Sequence, residues 1–187
     1  AEQAAKAMAA EDYAKAEDLY QRAYALVPAP TLSLRHARAL AVGDALGVPV
    51  EFTGRSLLKN NPVTDMRAFG SHRQPAGTWS DDSSLAFCLA ASLCDGYDLE
   101  DIGKRFVWWY DEAYWTARGE VFDIGNTTRN AISRLRIGKR ADFAGDFDEN
   151  SNGNGSLMRI IPLLFYIKDK PLAERYEITK NVSRITH

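Results

Sequence analysis

Apolar residues recur at intervals of three and four along most of this chain, and the alternate-residue pattern of β-strands is nearly absent. Such spacing puts apolar side chains on one face of a helix, whereas a half-buried strand needs a period of two. The segment 85–96 is predicted to be a helix. Good helix formers fill it, and Gly96 after Cys94-Asp95 is a typical stop signal. The same reasoning predicts helices over 98–115, 127–135 and 172–185, an apolar helix or buried segment over 157–166 and a surface loop over 56–77. The sequence therefore predicts an all-α fold.

Size and charge narrow the class of protein. The chain has 187 residues and 45% hydrophobic content, enough for one domain with a real core, alone or with a small appendage. Its 23 basic and 25 acidic side chains are interspersed and give a net charge of −2. This balance argues against nucleic acid or an anionic membrane surface as a partner. A small molecule or a protein is the expected partner.

Membrane and secretory features are absent from the sequence. The longest apolar stretches, such as 160–167, are much shorter than the ~20 residues that a membrane-spanning helix requires. The N-terminal residues lack a basic-then-apolar signal pattern. The two cysteines, Cys88 and Cys94, form neither a CxxC motif nor a secreted disulfide framework. These features predict a cytoplasmic protein.

A change in composition near residue 37 predicts two units. Residues 1–36 are predicted to form a helical hairpin, and residues 37–187 the main domain. Within the first unit, the segment 9–28 resembles one tetratricopeptide repeat. A single repeat cannot bury its own apolar face. An amphipathic helix docked on the rest of the chain therefore remains an equal alternative to a repeat that binds a protein partner.

An acidic cluster directly precedes the apolar segment 85–96. Ser80, Asp81 and Asp82 place one hydroxyl and two carboxylates at the start of a predicted helix. Ser and Asp are common there because they cap free N–H groups and complement the helix dipole. Two adjacent carboxylates exceed the needs of one cap, and oxygen donors favour Mg²⁺, Ca²⁺ or Mn²⁺ over zinc. Capping and a cation site both remain open on these residues alone.

Two further acidic residues lie among small and apolar neighbours in the segment 43–52. Embedded carboxylates are costly unless they find partners. Asp44 is well placed to satisfy backbone donors near a helix end. Glu51 follows Pro49 closely and is expected to point into a cleft.

Two glycine-bearing segments complete the set. In the segment 151–159 a doubled Asn-Gly precedes an apolar stretch, which predicts either an anion-binding loop at a helix N-terminus or a plain turn with Ser156 as N-cap. In the segment 119–129, Asp123 and the pair Thr127 and Thr128 are expected either to contact sugar hydroxyls or to cap the next helix.

Four motifs occur together in a fixed order: Gly-Asp-Ala-Leu-Gly-x-Pro-Val-Glu-Phe, Pro-x-Gly-Thr-Trp-Ser-Asp-Asp-Ser, Phe-Asp-Ile-Gly-x-x-Thr and Gly-Asn-Gly-Ser-Leu-Met-Arg. Over residues 37–187 this order resembles the ADP-ribosylglycohydrolase family, which includes the dinitrogenase reductase-activating glycohydrolases. The resemblance implies an orthogonal multi-helix bundle with two Mg²⁺ ions, or Mn²⁺, in a central cleft. The implied activity is hydrolysis of the bond between ADP-ribose and a protein side chain, or a related small ADP-ribosyl compound.

The resemblance also assigns roles to individual residues. Ser80, Asp81 and Asp82 match the first set of metal ligands, with Ser80 where a threonine is more usual. Asp82 and Glu51 are the implied catalytic residues, with Glu51 helping to hold the metal-bound water or the scissile ribose. The implied substrate-binding residues are Asp123, Gly125, Thr127, Gly153, Asn154, Gly155 and Ser156. The segment 185–187 matches the start of a Thr-His motif.

One family motif is missing from residues 1–187. Members carry a second acidic motif, Asp-x-Asp-Thr or similar, beyond the Thr-His segment, and none occurs here. The expectation is a chain truncated at its C-terminus relative to the family, with the second ligand set absent and catalysis impaired. The alternative is a non-catalytic binding or scaffold module that uses residues 1–36.

Overall fold

The computed structural model describes residues 31–187, and within that range all regular structure is helical. The predicted all-α fold is therefore confirmed for the described residues. The α-helices are α1 (Thr31–Gly47), α2 (Arg55–Asn60), α3 (Asp81–Asp95), α4 (Leu99–Glu112), α5 (Asn126–Arg136), α6 (Ile161–Ile167) and α7 (Leu172–Arg184). Short 3₁₀ turns lie at Val48–Val50, Ala141–Phe143, Glu149–Ser151 and Asn154–Ser156.

Helix α3 is the central element of the described residues. Its side chains are buried around most of its circumference, and Leu85, Cys88 and Leu89 have no exposed surface. A helix that is apolar on all sides must be surrounded by other elements. Helices α1, α4 and α6 pack against it. The N-terminus of α3, with its acidic cluster, is thus held in place by the core.

Helix α4 joins α3 to α5 through one apolar face. Ile102, Phe106 and Trp109 recur at helical spacing and are buried in the same core. At its start, Asp98 accepts hydrogen bonds from the backbone N–H groups of residues 100 and 101. Ala113 ends α4 in a left-handed conformation with φ +56°.

Several predicted helices occur close to their expected positions. The segments predicted as helical at 98–115, 127–135 and 172–185 correspond to α4, α5 and α7. Two expectations were imprecise. The apolar segment 157–166 becomes helical only at Ile161, and the predicted surface loop 56–77 begins within α2.

The proposed division of the chain falls inside a helix. Helix α1 runs from Thr31 to Gly47 and so continues across residues 36 and 37. The repeat-like segment 9–28 lies within residues 1–30, outside the described part of the chain. The division into two units therefore stays a prediction.

Among residues 31–187, no helix combines the length and the apolar character that crossing a bilayer would take.

Candidate active site

A cleft of about 710 Å³ opens between the end of α1, the start of α3 and the start of α5. Most of the residues that the sequence singled out line this cleft: Glu51, Ser80, Asp81, Asp82, Asp123, Gly125, Thr127, Gly153, Asn154 and Gly155. Ser156 does not line it. Residues far apart in the chain therefore share one cavity, which is large enough for a nucleotide-sized ligand.

Ser80 acts as the N-cap of α3. Its Oγ accepts a hydrogen bond from the backbone N–H of Asp82 at 3.3 Å and donates to Asp44 Oδ1 at 2.8 Å. A hydroxyl has one proton and two lone pairs, so one lone pair remains for a further ligand. The capping role expected for Ser80 is therefore present, and it leaves a cation contact open.

Asp44 organises the start of α3 from the neighbouring helix α1. Its carboxylate accepts hydrogen bonds from the backbone N–H groups of Ser80 and Ser83, and from the Oγ of Ser83 at 2.6 Å. Burial raises the pKa of Asp44, and the hydrogen bonds from Ser83 and Ser80 oppose that rise. The expectation that Asp44 satisfies backbone donors is confirmed, and those donors belong to α3.

Two adjacent carboxyl groups at the start of α3 hold protons more tightly than ordinary carboxyl groups do. Burial, and then the charges of Asp123, Asp82 and Asp44, raise the pKa of Asp81 to about 8. Burial and the charges of Asp44 and Glu51 raise the pKa of Asp82 to about 6. Like charges in a partly buried cleft repel one another, so a bound cation would favour their ionised forms.

A second acidic group includes a histidine that the sequence analysis did not select. His72 Nε2 lies 2.6 Å from Glu51 Oε2 and 3.7 Å from Asp123 Oδ1. Ligand atoms of these three residues lie within 4.8 Å of one another, so they could hold a metal ion. Burial, followed by interactions with Glu51, raises the pKa of Asp123 to about 7. His72 lies in an irregular loop, where no periodicity or motif marked it.

The glycine loop 153–155 packs against His187. An added Cβ on Gly155 would lie 2.5 Å from His187 Cε1 and 3.1 Å from Thr128 Oγ1. Only glycine fits there without a shift of a neighbour. His187, the final residue of the Thr-His segment, lines the same cleft.

Arg159 supports this loop through a hydrogen bond to the Gly155 carbonyl oxygen. The sequence analysis did not select it as a functional residue. It is fully buried, and its guanidinium donates to the carbonyl oxygens of Gly155 and Val182, the latter at 3.1 Å. It also lies 5.0 Å from the centroid of the Phe106 ring. Burial lowers the pKa of Arg159 to about 9, and the charge of Asp81 opposes that fall. In the sequence, the only sign of its importance was its place at the end of the motif Gly-Asn-Gly-Ser-Leu-Met-Arg.

The helix caps expected in the two glycine-bearing segments do not occur. The apolar helix after the glycine loop begins only at Ile161, and the turn Asn154–Ser156 has no side-chain cap. The expected helix N-terminus directly behind the loop is therefore not there, nor does Ser156 cap α6. The helix after Asp123, α5, begins at Asn126 beside the cleft with Gly125 as its N-cap and without a side-chain cap, so the alternative in which Asp123 or the pair Thr127 and Thr128 caps this helix was also wrong. Exposed helix N–H groups suit an anionic ligand.

Sequence comparison assigns the family. The sequence model of the family described as ADP-ribosylglycohydrolase matches residues 38–187. This span covers most of the chain and includes every residue named above as lining the cleft. The chain belongs to the ADP-ribosylglycohydrolase family, a family of hydrolases.

Curated relatives include two proteins named ADP-ribosylarginine hydrolase Tri1. The one from Pseudomonas putida (strain GB-1) is 34% identical over 183 residues, which is 95% of this chain and 48% of the relative. The one from Serratia proteamaculans (strain 568) is 35% identical over 151 residues, 79% of this chain and 40% of the relative. The ADP-ribosyl-[dinitrogen reductase] glycohydrolase of Rhodospirillum rubrum is 29% identical over 159 residues, 79% of this chain and 48% of the relative.

These matches cover only part of each relative. The chain spans about half the length of the curated relatives it matches. The match to the Pseudomonas protein, at 95% of the chain, also extends into residues 1–36, whereas the family match begins at residue 38.

Proposed function

We propose that the protein hydrolyses the N-glycosidic bond between ADP-ribose and an arginine side chain of a target protein, and that it requires Mg²⁺. The observation that carries the proposal is the convergence of Glu51, Asp81, Asp82 and Asp123 on one cleft of about 710 Å³. Such a volume suits a nucleotide-sized ligand. The names of the two Tri1 relatives support arginine as the modified residue.

The first metal-ligand set suits Mg²⁺ by its chemistry. Ser80, Asp81 and Asp82 would hold the ion with oxygen atoms alone, which is the donor type that Mg²⁺ prefers. Ser80 Oγ keeps a free lone pair, and burial together with neighbouring negative charges raises the pKa values of Asp81 and Asp82, an effect that a bound cation would oppose. When bound, Mg²⁺ would supply positive charge that orients the ribose hydroxyls and offsets the negative charge that develops on the attacking water as it loses a proton.

The reaction can be written with the residues of the cleft. Ribosyl transfer to water passes through an oxocarbenium-like state, in which the bond from the anomeric carbon to the guanidine nitrogen is largely broken. Glu51, with Asp82 beside it, would accept a proton from the attacking water as the new C–O bond forms. The departing guanidine nitrogen takes up one proton, which balances the proton that Glu51 accepts from water, so the net reaction consumes one water molecule.

Substrate binding would use other residues that line the same cleft. Asp123 would accept hydrogen bonds from ribose hydroxyls. The first amides of α5, near Gly125 and Thr127, together with the glycine loop 153–155, would face the diphosphate. These roles rest on the position of each residue in the cleft.

The activity itself is tested by release of ADP-ribose from mono-ADP-ribosylated arginine, measured with Mg²⁺ and with excess EDTA. The proposal expects release that depends on Mg²⁺. Release in EDTA would contradict the metal requirement. No release in either condition, from chain shown to be folded by circular dichroism, would favour the binding-module alternative.

The metal ligands are tested separately by calorimetry. Asp81→Asn combined with Asp82→Asn should abolish Mg²⁺ binding, because it removes both anionic ligands and keeps their shape. Asp95→Asn is the matched control, since Asp95 lies at the other end of α3 and pairs with Arg105 at 2.8 Å. Unchanged Mg²⁺ affinity in the double variant would refute the assignment.

A further inference from the structure

Residues 70–72, called the clasp here, attach the loop before α3 to the turn that carries Glu51. The backbone N–H of Ser71 donates to the Pro49 carbonyl oxygen at 3.1 Å, and its Oγ donates to the carbonyl oxygen of Glu51. The His72 side chain adds a third contact, with Nε2 2.6 Å from Glu51 Oε2. Backbone and side chain of Glu51 are thus both held by the same short segment.

The backbones of the two segments are shaped for this contact. A Cβ added to Gly70 would overlap the carbonyl group of Pro49, so the close approach requires glycine. Phe52 and Arg73, next to the two partners, have φ values of +60° and +54°. Non-glycine residues seldom adopt this conformation, and it persists only where surrounding contacts fix it.

The imidazole of His72 is itself held by two aromatic rings. Its centroid lies 5.9 Å from that of Phe52 and 5.4 Å from that of Phe122. Its side chain is 15% exposed, whereas that of Glu51 is 38% exposed. The fixed His72 ring is therefore in contact with the more exposed side chain of Glu51, which would otherwise be free to adopt more rotamers.

We propose that His72 is a positioning residue that holds the Glu51 carboxylate in its catalytic orientation. The proposal rests on the function proposed above. His72 donates its Nε2–H to Glu51 Oε2, and the clasp fixes the turn that presents Glu51. A Glu51 carboxylate that is already held in the reactive orientation loses no rotamer freedom when it acts on the attacking water. A small misplacement of a reacting group lowers the rate strongly.

The kinetic test compares His72→Ala, His72→Gln and Arg73→Ala in the arginine assay with Mg²⁺. His72→Ala should lower kcat by roughly 10- to 100-fold with little change in KM, because substrate binding uses other residues. His72→Gln offers an amide N–H near the position of Nε2 and should recover most of the loss. Arg73→Ala, next to the clasp and exposed, should keep kcat.

Two kinetic outcomes would overturn the inference. One is unchanged kcat in His72→Ala. The other is an equal loss in His72→Gln and His72→Ala when both variants melt at the temperature of the parent, because the donated hydrogen bond would then not explain the effect.

A spectroscopic test separates this inference from the proposed function. The chain has 3 histidines, so the ring nitrogen signal of His72 can be assigned by its loss in His72→Gln. Glu51→Gln should shift that signal, and Glu120→Gln, at a carboxylate that contacts Gln74 instead, should not. If the parent chain is inactive, the proposed function fails, and a shift in Glu51→Gln still supports the clasp. An unmoved His72 signal in Glu51→Gln overturns it.

Discussion

Asp44 shows how one buried carboxylate can complete a neighbouring helix. It lies on α1, and its oxygens accept hydrogen bonds from the backbone N–H groups and the hydroxyls of Ser80 and Ser83 on α3. The first N–H groups of a helix have no partner within the helix. Asp44 supplies that partner and joins α1 to the acidic end of α3. One carboxylate therefore fixes α1 against the start of α3, and both of these elements line the cleft.

Mg²⁺ binding should tighten as the pH rises from about 6 to about 8. Asp82 and Asp81, with pKa values raised to about 6 and about 8, are protonated below these values and must lose their protons to bind a cation. For each carboxyl group that must lose its proton, the apparent Mg²⁺ affinity falls by up to about tenfold for each pH unit below the pKa of that group. Calorimetry at several pH values, in buffers with different ionisation enthalpies, measures both the affinity and the protons released.

A Mg²⁺ affinity that stays constant across this range, with no proton release, would contradict the raised pKa values. Asp95→Asn serves as the control here too, because Asp95 is 76% exposed and pairs with Arg105 outside the cleft.

At the scale of elements, the glycine loop 153–155 depends on the parts of the fold around it. Arg159 holds the Gly155 carbonyl from the buried side, and His187 and Thr128 close against Gly155 from the other. The loop is thus shaped by three contacts that come from different elements. Its geometry is a property of the packed helices.

Gly155→Ala should weaken binding of free ADP-ribose and slow turnover. The new methyl group would lie 2.5 Å from His187 Cε1, so His187 or the loop must move. A displacement of a binding group by about 1 Å can cost up to about 100-fold. Calorimetric titration with ADP-ribose measures the loss.

Gly54→Ala is the matched control for this change. Its added Cβ would have Ser56 Oγ as its nearest atom, at 4.0 Å, and its φ of −59° is open to any residue. It should leave ADP-ribose binding unchanged. Equal affinity in Gly155→Ala and in the parent would show that the loop does not contact the ligand.

At the scale of the whole molecule, stability should depend on the core around α3. Leu89→Ala removes a side chain with no exposed surface, and the cost should be about 2–5 kcal/mol of unfolding free energy. Leu164→Ala makes the same chemical change at a side chain that is 62% exposed, and should cost less than about 0.5 kcal/mol. Urea unfolding followed by circular dichroism measures both, and similar costs at the two positions would contradict the central place of α3.

Much of the secondary structure could be predicted from local sequence. Helix α3 was expected because apolar helix formers fill the space between Ser80 and Gly96, and the structure has those two residues as its caps. Predictions failed where packing rather than periodicity decided the boundary. The segment after residue 157 is apolar enough for a helix, yet its backbone forms a turn over 157–159, and α6 begins only at Ile161 with Pro162 in its first turn.

The residues of the candidate site were likewise predictable only in part. Motifs marked Ser80, Asp81, Asp82, Glu51 and Asp123 because hydroxyl and carboxylate residues stood out among small and apolar neighbours. His72 and Arg159 could not be assigned in advance, since their importance lies in partners at distant positions. Glu51 lies 21 positions before His72, and Val182 lies 23 positions after Arg159.

Local sequence was enough to predict the helical class, the positions of most helices and the oxygen-bearing residues at their ends, because these features depend on near neighbours in the chain. Folding was needed to bring Asp44 to α3, His72 to Glu51 and Arg159 to the glycine loop. These contacts join segments whose mutual approach is set by the packing of the whole core, and the local pattern specifies which face is buried without specifying what covers it.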